Sequence, residues 1–171
     1  NKPLIEYLYN LGAIITVFDN RTQEKIDEDI WNKVVEYNLK YSVGENYLSK
    51  LVGFDYIFRS PSCRPDLPEI EAEVKKGAIL TSEIELVLKL TPSKTVGITG
   101  SDGKTTTTSL IYEILKKKYK CFLGGNIGTP LFTRIAEMKP EDIVVLELSS
   151  FQLMNMDVST DIAVVTNISP N

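Results

Sequence analysis

Histidine is absent from this sequence, and cysteine occurs only twice, at Cys63 and Cys121. That poverty excludes most zinc sites, which are built from imidazole and thiolate ligands. It also argues against a disulfide-rich secreted scaffold and makes a reducing cytosol the simplest compartment. Long apolar runs are missing: "AIITVF" and "DIVVLEL" are far too short to span a bilayer, and no signal peptide is visible. An excess of positive charge is missing as well. The net charge of −4 argues against nucleic-acid binding driven by electrostatics. A local pocket for a phosphorylated small molecule stays open. Internal repeats and low-complexity segments are not found.

What is present is ordinary globular material. A hydrophobic fraction of 43% and a charged fraction of 25% over 171 residues suit one large domain or two small ones. Apolar and polar residues alternate between helical and strand periods along the whole chain. Helices are expected at 3–11, around "EDIWNKVVEY", near 45–52, in "LPEIEAEVKKG" and in "EIELVLKL". Strands are expected in "AIITVFD", "LKYSV", "DYIFRS" and "AILTS". "TPSK" at 91–94 reads as a linker, after which the alternation restarts. Strands at 95–99, 120–123, 142–149 and 161–167 then alternate with helices at 105–118 and 127–138. Strands and helices alternating at this spacing imply parallel sheets with covered faces. Both ends look cut, since Asn1 is no initiator and "AVVTNISPN" leaves a strand and stops in a turn.

The stretch "TVGITGSDGKTTTTSL" carries the chemistry. Four threonines open the expected helix although β-branched residues are poor helix formers. Ahead of them, Gly100 and Gly103 let the backbone turn as a phosphate cradle requires. The helix amino terminus then aims N–H groups and a positive dipole end at the same point. Lys104 adds a full positive charge, and a hydroxyl at Thr105 can reach a nucleotide-borne magnesium ion. The threonines therefore offer what Ala or Leu could not. The spacing departs from the strict G-x-x-x-x-G-K-[ST] loop, because Ile98 stands where the first glycine belongs. The competing reading is a Gly-rich strand–helix turn with a chance lysine.

In "EDIVVLELSSFQL", Glu147 interrupts an apolar strand near its carboxyl end, where ligands of parallel sheets bind. A carboxylate beside buried strand residues needs a partner, and magnesium would be one. "GGNIGTP" permits close backbone approach and offers the Asn126 amide, although a plain capping turn explains it equally well. For Ser149, Ser150 and Gln152 the competing reading is likewise a cap on the segment after the strand. The "KKKYK" run at 116–120 reads as a solvated helix end.

Together, "GITGSDGKTTTT", "GGNIGTP" and "LELSSFQL" resemble the Mur ligases, ATP-dependent amide-bond enzymes of peptidoglycan synthesis. "ELSSFQL" resembles the branch adding D-glutamate to UDP-N-acetylmuramoyl-L-alanine, and "AIITVFDNR", "SPS" and "ILTSEIEL" fit its first domain. The resemblance implies a Rossmann-like parallel-sheet domain over 1–92 that binds the UDP substrate. A truncated P-loop-like α/β central domain that binds ATP would follow over 93–171. It implies that Gly100, Ser101, Asp102, Gly103, Lys104, Thr105 and Thr106 form the ATP loop. Lys104 and Glu147 would be catalytic, and Thr105 and Glu147 would hold Mg2+. Asp19, Asn20, Arg21, Ser60, Pro61 and Ser62 would hold the uridine diphosphate. Asn126, Ser149 and Gln152 would contact the muramoyl substrate or order its surroundings. Family members commonly have glycine where this chain has Ser62. The expected partners are the two substrates and the rest of the same chain, with no nucleic acid and no membrane. The chain is expected to be the front half of the enzyme, without ligase activity alone. The alternatives are another Mur-type or folylpolyglutamate-type ligase, or a non-catalytic nucleotide-binding module. A dehydrogenase is disfavoured because no G-x-G-x-x-G is present.

Overall fold

The computed structural model describes residues 2–169. The chain folds into two compact units. The first takes in the chain up to Ile57 together with Asp66–Leu80, and the second takes in Phe58–Pro65 and everything described from Thr81 onward. The expected linker at 91–94 thus lies inside the second unit.

In the first unit, α1 (Lys2–Asn10) carries its apolar stripe onto α2 (Glu28–Glu36), burying Leu4 and Val34. The Lys33 ammonium bridges Glu6 of α1 at 3.1 Å and Glu36 at 2.8 Å. Asp27 caps α2 by accepting the Asp29 and Ile30 amides, so that two otherwise unbonded N–H groups of its first turn are paired. Strands β1 (Thr16–Asp19) and β2 (Lys40–Val43) pair in parallel, with Asp19 opposite Val43. Strands β3 (Tyr56–Phe58) and β4 (Ile79–Thr81) form a second two-stranded pair, connected through α3 (Pro68–Lys75). The elements alternate as expected, but these four strands lie in two pairs rather than one sheet. The strand expected from Ala13 begins only at Thr16, with Ile14 86% exposed, because no neighbouring strand receives the apolar start of the run. A single 3₁₀ turn, Tyr47–Lys50, replaces the helix expected near 45–52.

The second unit holds α4 (Glu83–Leu90) and one parallel sheet. Its strands are β5 (Lys94–Thr99), β6 (Cys121–Gly125), β7 (Ile143–Glu147) and β8 (Ile162–Val165), in the order β6-β7-β5-β8. Val144, Val145 and Leu146 are wholly buried, as a strand covered on both faces must be. Helix α5 (Lys104–Leu115) covers one face, where Ile111, Tyr112 and Leu115 pack onto Val96, Ile98 and Val145. Each such aliphatic side chain contributes about 1.5–3 kcal/mol by leaving water. The helix expected over 127–138 is only a 3₁₀ turn, Phe132–Glu137. Leu131 and Phe132 are buried at its start, and the Leu131 side chain fills the space a side chain on Gly124 would need. That anchor and Pro130 confine the segment to a turn. One turn of helix, α6 (Ser150–Leu153), follows β7.

Candidate functional site

The parallel register places the two expected catalytic residues at the carboxyl ends of neighbouring strands. Glu147 ends β7 directly opposite Ile98 of β5, and β5 runs through Gly100–Gly103 into Lys104, the first residue of α5. Gly103 occupies the left-handed region at φ 75°, where it starts the helix without the strain a side chain would bring.

The loop is held from one side by the segment after β8. The Ser101 amide donates to the Asn167 carbonyl at 3.0 Å, and the Asp102 amide to Asn167 Oδ1 at 2.9 Å. Thr166 Oγ1 and Asn167 Nδ2 donate to the Asp102 carbonyl at 2.6 and 3.2 Å. Two of the loop amides are therefore spent on holding its shape. The first bond inside α5 runs from the Thr107 amide to Gly103 at 3.0 Å, which leaves Lys104, Thr105 and Thr106 as the N–H groups without an acceptor in the helix. These amides, at the positive end of the helix, are free to receive an anion. The Lys104 ammonium folds over the loop, donating to the Gly100 and Ser101 carbonyls at 2.6 and 2.8 Å. Thr105 and Thr106 are exposed at the same end.

Glu147 is only 2% exposed, so its carboxylate is nearly stripped of water. Asn126 Nδ2 donates to Glu147 Oε1 at 3.1 Å, and the Asn126 amide donates to the Glu147 carbonyl at 2.8 Å. Oε2 is buried with no partner. Leaving a buried carboxylate oxygen unpaired is costly, so this atom is where a cation fits. Thr108 Oγ1, one turn into α5 from Lys104, is likewise buried without a partner. No cluster of three acidic or thiol ligands exists among the described residues. A metal here would rely on phosphate oxygens for most of its shell, as magnesium bound with a nucleotide does.

Downstream, Ser149 and Gln152 cap α6 reciprocally. Ser149 Oγ accepts the Gln152 amide at 3.2 Å, and Gln152 Oε1 accepts the Ser149 amide at 2.8 Å. In the first unit, the Asp19 carboxylate takes Nε and Nη2 of Arg21 at 3.0 and 2.8 Å beside exposed Asn20, at the carboxyl end of β1. Hydrogen bonding to Arg21 holds the Asp19 carboxyl below its ordinary value. In the second unit, exposed Ser60, Pro61 and Ser62 follow β3, with the two hydroxyls 3.1 Å apart. The sequence reading had no role for Arg59, Thr166, Asn167 or Thr108. An Asn following a strand is the sole local trace of the loop support.

Residues 98–171 match the family profile of the Mur ligase middle domain. Over its whole length the chain is 54% identical to the UDP-N-acetylmuramoylalanine–D-glutamate ligase of Clostridium acetobutylicum. It is 55% identical to that of Clostridium botulinum strain Hall and 54% identical to that of Ruminiclostridium cellulolyticum. All of this chain is aligned in each case, spanning 37% of the relative's length. The fold, the loop and the acidic strand end thus fall into one class: residues 98–171 match the Mur ligase middle domain, and the chain as a whole is similar to ligases of that class. Within that class, the relatives aligned over its full length carry the name of the D-glutamate ligase.

Proposed function

We propose that this chain is the front portion of an ATP-dependent ligase that joins D-glutamate to UDP-N-acetylmuramoyl-L-alanine in the cytosol. Residues 1–92 bind the UDP substrate and 93–171 bind ATP. The observation that carries the reading is the buried, unpartnered Glu147 Oε2 at a strand end beside the Lys104 loop. A carboxylate resists amines because its leaving group would be oxide. Transfer of the ATP γ-phosphoryl group to the alanyl carboxylate gives an acyl phosphate. The D-glutamate amine attacks its carbonyl, and phosphate leaves as the amide forms.

The residues of this chain answer the charge problem of bringing one anion to another. The Lys104, Thr105 and Thr106 amides receive phosphate oxygens, and the Lys104 ammonium turns from the loop carbonyls to the β/γ-phosphates. Glu147 and the Thr105 hydroxyl would hold magnesium, which would supply charge neutralisation for phosphoryl transfer. Asn126 keeps the Glu147 carboxylate turned in one direction. Asp19, Asn20, Arg21 and the Ser60–Ser62 loop take the uridine diphosphate end, while Ser149 and Gln152 shape the muramoyl side. The amine site belongs to the part of the relatives that this chain does not span.

The test is ligation by the full-length enzyme, supplied with ATP, the UDP substrate and a panel of amino acids. D-Glutamate alone should be incorporated, and Lys104→Ala should lower kcat by about 10²–10³-fold. Near-normal turnover of Lys104→Ala removes its role. Incorporation of a different amino acid assigns another ligase of the class, and no incorporation at all points to a nucleotide-binding module.

A further inference from the structure

Arg59 is 6% exposed, a charged side chain that the second unit has buried outright. Its backbone amide donates to the Thr81 carbonyl at 2.9 Å, extending the β3–β4 pairing by one residue. The guanidinium then reaches elsewhere. Nη1 donates to the Cys63 carbonyl at 3.3 Å, while Nη2 donates to the Phe151 and Met154 carbonyls at 2.7 and 2.5 Å. All three acceptors are main-chain oxygens, so among the described residues no carboxylate offsets the cost of burying this charge. Such burial persists only where the geometry of the partners is good. The Phe151 carbonyl lies in the single turn of α6 and takes no backbone hydrogen bond, so the guanidinium satisfies an orphan of that helix.

We propose that Arg59 is a positioning residue that makes the Ser60–Cys63 loop and the turn after Glu147 move as one body. This inference rests on the ligase function proposed above, in which the loop and the turn serve the same UDP substrate. The brace is short. Leu148 is fixed to β5 by the hydrogen bond its N–H donates to the Ile98 carbonyl at 2.8 Å, and Ser149 is locked to Gln152 by the capping box. From α6 the connection passes through one side chain to the loop that presents Ser60 and Ser62. A planar fork spans three carbonyls; a lysine ammonium in the same place is a point charge on a flexible stem and does not.

Steady-state kinetics of the full-length enzyme test this, with Arg59→Lys and Arg59→Met compared against wild type. Arg59→Met keeps the side-chain volume but leaves the Cys63, Phe151 and Met154 carbonyls without their donor, so some loss of stability is expected in it, whereas Arg59→Lys retains a donor there. Both variants should raise KM for UDP-N-acetylmuramoyl-L-alanine roughly ten- to a hundredfold, as displacement of a substrate-holding element does. KM for ATP should stay near wild type, and unfolding should stay cooperative although the melting temperature falls in Arg59→Met. Unchanged KM for the UDP substrate overturns the proposal. So does a parallel rise in both Michaelis constants, or loss of fold in both variants, because each describes a merely structural arginine. A wild-type enzyme that ligates no D-glutamate sinks the ligase reading and this inference with it. Variants indistinguishable from an active wild type sink the inference alone.

Discussion

Glu147 depends on the glycine opposite it on the neighbouring strand. Gly125 lies opposite it in the β6–β7 register at φ 91°, and a β-carbon there would stand 2.1 Å from the Glu147 carbonyl oxygen. Neither partner is a flexible side chain that could give way. Gly125→Ala should therefore cost at least about 2 kcal/mol through the disfavoured φ and the backbone collision together. Urea unfolding of the purified protein measures it; a midpoint equal to wild type contradicts the packing described. The acid itself was legible in the sequence, because a charged residue inside "IVVLEL" breaks a buried pattern. Its unpaired oxygen was not, since hydrogen bonding depends on which groups the fold brings near. The opposite holds for Asp102, whose carbonyl and amide are engaged by Thr166 and Asn167, more than sixty residues later in the chain.

Elements with local signals formed where the sequence placed them. The strand–loop–helix of β5 and α5 follows from an apolar run, two glycines and a helical period, all within about twenty residues. Helix α4 follows from Ser82 ahead of "EIEL", a capping-box pattern. There the Ser82 hydroxyl accepts the Glu85 amide at 3.2 Å, but the Glu85 carboxylate does not return to the cap. It is buried instead, accepting Thr81 Oγ1 at 3.0 Å and pairing with Lys89 at 2.9 Å. Tertiary burial redirected half of a local motif. Ser82→Ala should lower stability by about 1 kcal/mol, read from the denaturant midpoint, because the cap bond is still made. The 127–138 segment failed as a helix for a related reason. Its apolar spacing is compatible with a helix, yet the burial of Leu131 against Gly124 decided its path.

For the whole molecule, acid is the revealing perturbation because each unit holds a carboxylate below its ordinary range. In the first unit, Glu73 is lowered chiefly by Lys76 at 2.7 Å and then by the Gly53 amide at 2.6 Å. In the second, Asp161 is lowered by the Thr95 hydroxyl and amide, each at 2.7 Å. A depressed carboxylate contributes stability that is present above its unfolded value and lost as pH falls through the folded one. Both units should therefore weaken as pH drops below about 4, with little change between pH 6 and 8. Asp161→Asn should flatten that acid dependence for the second unit, followed by circular dichroism; an unaltered acid profile would argue against the assignment. Taken by itself, the sequence determined the alternating α/β order, the glycine–lysine loop, the acidic strand end and the resemblance to the Mur ligases, because all are written in local spacing and residue type. Only the tertiary structure decided that Asn126 aims Glu147, that Asn167 supports the loop and that Arg59 braces the turn after the acid. Those contacts join residues far apart in the chain, and no local pattern encodes which distant group will fill a donor or acceptor once the core has closed.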